Sequence, residues 1–159
     1  MKIIKWLDDN FEEFILVILL LAMTLIMGIQ VLTRYLLGNS LAWSEEITRY
    51  LFIWSGFISV SYCTKKCISI KIEQFISIFP KRGKAMIKLV NHTIEIIFFL
   101  FLIPYAYLYL KSAVVSGQTS PACGIPMYYI QAAPLFSFIL VAIRIIQRWI
   151  EELKFIREV

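Results

Sequence analysis

Charge is scarce in this sequence. Of its 159 residues only 17% are Asp, Glu, Lys or Arg, against about 25% in an ordinary soluble domain. There is one histidine, so a histidine-built metal centre or a Ser-His-Asp triad lacks raw material. The three cysteines, Cys63, Cys67 and Cys123, are too few and too scattered for a disulfide scaffold. Cys63 and Cys67 stand at C-x-x-x-C, one residue wider than the C-x-x-C of redox pairs. No P-loop, dinucleotide fingerprint, G-x-S-x-G elbow or H-E-x-x-H helix occurs. These absences argue against an enzyme, and neither a cofactor nor a metal is expected.

The chain is rich in apolar residues, which make up 60% of it, and they come in long blocks. A bilayer crossing takes about 20 residues. Residues 14–33 are uncharged, preceded by Asp8, Asp9, Glu12 and Glu13 and ended by Arg34. No small-residue cleavage site follows, so a retained first span is expected. Residues 47–64 form a shorter second block, led in by residues 41–49. That lead-in carries Glu45, Glu46 and Arg49 and is expected as an amphipathic surface arm, with Arg49 snorkelling outward.

Residues 89–110 form a third span holding His92, Glu95 and Pro104, which is expected to kink it. Residues 127–143 form a fourth, with Pro134 inside. Residues 66–79 read as a cytoplasmic amphipathic segment stopped by Pro80 and Gly83. The expectation is an all-α, multi-pass integral membrane protein of one domain, residues 1–159, with four transmembrane helices and amphipathic surface helices.

Four crossings place both termini on one side. Thirteen of the sixteen Lys and Arg residues then fall on that side, leaving Arg34, Arg49 and Lys111 opposite. By the positive-inside rule both termini are cytoplasmic. The net charge of +5 therefore reads as membrane topology and not as a nucleic-acid surface.

Two polar clusters stand out. His92 and Glu95 lie three residues apart on one helical face inside a span, where an ionisable group marks a candidate site. Their alternatives are a proton or cation relay and a structural pair. Trp43-Ser44-Glu45-Glu46 with Arg49 is the second cluster. Glu45 and Arg49 are spaced to pair at i, i+4, which leaves Glu46 for Arg34 or a basic group on another protein. Gly28, Gln30, Thr33, Gly56, Ser59 and Ser61 suit helix packing.

The order Arg34-Tyr35, Trp43-Ser44-Glu45-Glu46, Arg49-Tyr50-Leu51-Phe52 and Trp54 resembles the small membrane subunit of tripartite ATP-independent periplasmic (TRAP) transporters, the DctQ-like family. The likeness continues at Lys65-Lys66, Ile70-Lys71-Ile72-Glu73, Gly117, Ser120-Pro121 and Ile125-Pro126. One departure is Ser69, where the family often has histidine.

The resemblance implies a non-catalytic subunit of the bacterial cytoplasmic (inner) membrane. Such a subunit braces a large transport subunit for sodium-coupled uptake. A periplasmic or extracellular solute-binding protein delivers the solute, a carboxylate such as sialic acid or a C4-dicarboxylate. Arg34, Trp43, Glu45, Glu46, Arg49 and Trp54 would then face the partner and membrane lipids. The exposed loop with Gly117, Gln118, Ser120, Pro121 and Pro126 would dock the binding protein. The competing expectation is a small four-helix, proton-coupled exporter using Glu95, although such exporters carry their acid in the first span and residues 14–33 have none.

Overall fold

The computed structural model describes residues 2–38, 41–66 and 81–158, with side chains for 10–38, 41–66, 83 and 86–154. Cys67, Ser69 and the expected cytoplasmic segment beyond Lys66 lie outside the described residues.

Among the described residues the chain is helical apart from turns and one isolated β-bridge. The helices are α1 (Lys2–Leu37), α2 (Ala42–Lys66), α3 (Lys81–Ser116), the one-turn α4 (Tyr128–Gln131) and α5 (Ala133–Glu158). Three stretches are long and apolar enough to cross a membrane. They are Asn10–Leu37 at a mean hydropathy of 2.8, and Met86–Ser116 and Tyr128–Lys154 at 1.9 each. α2, with 25 residues, is not among them.

From Ala42 on, the arm expected at 41–49 and the block at 47–64 belong to one unbroken helix, α2. α3 runs through Pro104, whose missing N–H leaves the Leu100 carbonyl without its helical donor.

The fourth block differs from expectation. Residues 127–143 are not one helix: α4 closes after a single turn, and α5 restarts with Pro134 in its first turn. A proline there removes an N–H that has no helical partner in any case. α5 also continues well past residue 143, so the basic tail is the same helix.

The chain divides into two compact units. One comprises Met1–Ser59 and Leu110–Ala133, the other Val60–Tyr109 and Pro134–Val159. The second unit packs around α5, where Ser137, Val141, Ala142 and Ile145 are buried together with Ser61 of α2 and Ala106 of α3. Phe99 of α3 meets Phe138 of α5 at 5.8 Å between ring centres.

Polar ties join the same helices. Trp149 Nε1 donates to Thr93 Oγ1 at 3.1 Å, Lys88 Nζ lies 3.6 Å from Glu152, and the Arg148 guanidinium donates to the Lys65 carbonyl. That carbonyl sits at the end of α2, where the helix dipole favours a cation.

Candidate functional site: a carboxylate between a helix and a loop

In the first unit the start of α2 meets residues 117–127. Gly117 follows the last residue of α3 with φ +61°, the left-handed conformation that ends many helices and that glycine adopts without penalty. The chain then folds back on itself. Thr119 bridges Pro126, the Ser120 N–H donates to the Ile125 carbonyl at 2.8 Å, and the Met127 N–H donates to the Gln118 carbonyl at 2.9 Å. The tip turns through Pro121 to Gly124, whose N–H reaches the Ser120 carbonyl at 3.0 Å and whose φ is +66°.

Glu46 closes this turn from α2. Its Oε2 accepts the Ala122 N–H at 2.9 Å and the Cys123 N–H at 3.0 Å. Its Oε1 accepts the Tyr50 hydroxyl from one turn along α2. The Tyr50 oxygen also lies 3.8 Å from Met127 Sδ, and the Cys123 thiol donates to the Trp43 carbonyl at 3.7 Å.

The Tyr50 hydroxyl, followed by Ser120 and the two amides, holds the Glu46 carboxyl below its ordinary 4.5, against the opposing effect of burial. Burial and then the Glu46 charge push the Cys123 thiol above its ordinary 9.0. Cys123 is thus protonated at neutral pH and poorly nucleophilic.

The predicted residues fall as follows. Glu45 does not pair with Arg49: its Oε1 accepts the Gln30 amide from α1 at 2.9 Å. Arg34 and Arg49 are exposed, and neither forms an ion pair among the described residues. Glu46 turns to the loop instead of Arg34. Trp43 is 41% exposed and Trp54 is half-buried.

In the loop, Gly117, Gln118 and Pro121 are exposed and Pro126 is half-buried. Ser120 corrects the expectation of an exposed docking residue. It is buried, and its hydroxyl accepts the Cys123 N–H at 3.2 Å, so it shapes the turn from within. Of the packing candidates, Gln30 and Ser61 are buried, whereas Gly28 and Gly56 face open space.

His92 and Glu95 do come together, with Nδ1 3.2 Å from Oε2. Asn91 completes the group, donating to Glu95 Oε1 at 2.7 Å. Sequence reasoning missed Asn91 and Tyr50. Each stands at i±4 from its glutamate, so helical spacing alone could have found both.

Gly124→Ala tests the loop geometry. No atom lies within 4 Å of the added methyl, so the cost is the left-handed backbone alone, roughly 1 kcal/mol. A lower melting temperature is expected for this variant in detergent. Gly56→Ala, in an open helical position, should leave the melting temperature unchanged or raise it slightly.

Three relatives frame the site. The chain is 30% identical over 151 residues to the isethionate TRAP transporter permease protein DctMQ of Oleidesulfovibrio alaskensis, which covers 91% of this chain and 24% of that protein. It is 32% identical over 82 residues to the C4-dicarboxylate TRAP transporter small permease protein DctQ of Vibrio cholerae, covering 52% of this chain and 35% of that one. It is 25% identical over 141 residues to the ectoine TRAP transporter small permease protein TeaB of Halomonas elongata, covering 89% and 73%.

The chain thus matches only about a quarter to a third of the length of the first two. These relatives are transporter permease proteins and not enzymes. The family profile described as "Tripartite ATP-independent periplasmic transporters, DctQ component" matches residues 23–155, taking in both the carboxylate and the loop it holds. With that match and its three long apolar helices, the chain is a membrane protein of the DctQ family, a TRAP transporter small permease subunit.

Proposed function

We propose that this chain is the non-catalytic small subunit that braces a large transport subunit in the bacterial cytoplasmic membrane. Uptake by the whole transporter would be sodium-coupled and fed by a periplasmic or extracellular solute-binding protein. The family match over residues 23–155 carries this reading. The chain's own surface supports it. In the stretches Asn10–Leu37 and Met86–Ser116 only 6% of the most apolar window is buried within the chain, which leaves both for lipid and for a partner.

In this reading α2 supplies the fourth crossing, its short apolar stretch extended by Arg49 reaching toward the headgroups. Both termini face the cytoplasm, as the distribution of Lys and Arg favours, and loop 117–127 faces outward as the docking surface. The exposed Arg34, Trp43 and Arg49, with Trp54, belong to the partner contact. The solute, a carboxylate such as sialic acid or a C4-dicarboxylate, is chosen by the large subunit and the binding protein. Glu95 has a structural role here, because both its oxygens are engaged by side chains of its own helix.

Copurification tests the brace. An affinity-tagged chain, co-expressed with a large TRAP transport subunit from the same genome, should retain that protein through detergent extraction and size-exclusion chromatography. Elution of the chain without the large protein contradicts the assignment.

A further inference from the structure

We propose that Glu46 is a positioning residue: it ties loop 117–127 to the start of α2 and so holds the loop in the shape that a docking solute-binding protein meets. This rests on the reading of that loop as the docking surface.

The loop's own hydrogen bonds close its base and its turn, joining Gln118 to Met127, Ser120 to Ile125 and Ser120 to Gly124. They leave the Ala122 amide at the tip to an outside acceptor, and Glu46 Oε2 takes it together with the Cys123 amide, which it shares with the Ser120 hydroxyl. The carboxylate is in turn aimed by Tyr50 from the next turn of the same helix. A second tie runs from the Cys123 thiol to the Trp43 carbonyl. The tip of the loop and the first two turns of α2 therefore move as one piece.

The chemistry of the tip makes its shape decisive. No charged residue occurs between Lys111 and Arg144, so the exposed Gln118, Thr119, Pro121 and Ala122 offer neutral contacts and backbone. Recognition there depends on geometry, because no charge of the loop draws a partner in from a distance. The titratable groups facing Glu46 among the described residues are Tyr50 from α2 and Cys123 from the loop, and neither carries charge at neutral pH. Ionised Glu46 thus meets hydrogen-bond donors and no competing cation.

The test uses the complete transporter in proteoliposomes with Glu46→Gln and Tyr50→Phe. Hydrogen exchange of the 117–127 peptide is followed by mass spectrometry at pH 7, beside uptake at varied concentrations of solute-loaded binding protein. Glu46→Gln should speed exchange at Ala122 and Cys123 roughly tenfold, as loss of charge-assisted bonds implies. The apparent KM for binding protein should rise several-fold while the maximal rate stays within about twofold. Tyr50→Phe should shift both in the same direction by less, and Glu46→Asp should restore part of each.

Unchanged exchange in both variants overturns the proposal. Faster exchange with an unchanged KM overturns the positioning role and the docking reading of the loop, while leaving the hydrogen-bonded tie in place. If Glu46→Gln fails to copurify with the large subunit, Tyr50→Phe carries the same two outcomes.

Discussion

Glu46→Lys is expected to lower binding-protein-dependent uptake at least tenfold. The wild-type carboxylate accepts from two loop amides and a tyrosine hydroxyl. A lysine ammonium has donors only, so it faces two N–H groups with no acceptor between them. The loop must then leave α2 or rebuild its tip around water. Hydrogen exchange should rise across residues 117–127 and stay unchanged in the second unit, which shares none of these contacts.

The same geometry gives the pH dependence its sign. The folded carboxyl is held below its ordinary 4.5, so the folded chain binds this proton less readily than the unfolded chain does. The Glu46 contribution is complete above the ordinary value and is lost as pH falls through the lowered one. Loop protection, corrected for intrinsic exchange, should be flat through neutral pH and drop only below about 4.5. In Glu46→Gln that drop should be absent.

The second large effect lies in the other unit. Ile145 is fully buried on α5 and Ile143, two residues earlier, is 47% exposed. In a bilayer an exposed isoleucine meets lipid tails as apolar as itself, so truncating it costs little. A buried one leaves a cavity that the neighbouring helices close only in part. Ile145→Ala should therefore destabilise by about 2 kcal/mol and lower the melting temperature of the solubilised protein by about 5 °C. Ile143→Ala should stay within about 0.5 kcal/mol. Equal effects at the two positions would mean that α5 packs through a different face.

The uncharged run at 14–33 made α1 legible, because about twenty apolar residues without charge leave few alternatives to a spanning helix, and the apolar stretch from Ile96 to Leu110 marked α3 despite Glu95 just before it. The continuation of the fourth block's helix into the basic tail was not legible, because Arg144 reads as a boundary. In the fold Arg144 is buried with its guanidinium on Gln147, and Arg148 caps the end of α2, so the helix continues through both. A charge satisfied by a distant segment looks, in sequence, like a charge bound for water.

Glu46 shows the same limit. Helical spacing brings Tyr50 to it, yet the amides it accepts lie 76 and 77 positions away, beyond any local pattern. The Gly117, Ser120-Pro121 and Pro126 signals marked a turn without showing that Ser120 lies inside it.

As the proposed brace, this chain supports transport and holds no transport pathway of its own. Solute accumulation in proteoliposomes under an inward sodium gradient tests this claim most directly, comparing the chain alone, the large subunit with binding protein, and all three together. Accumulation should occur only with all three and be nil with the chain alone. Accumulation by vesicles holding only these 159 residues would contradict the claim.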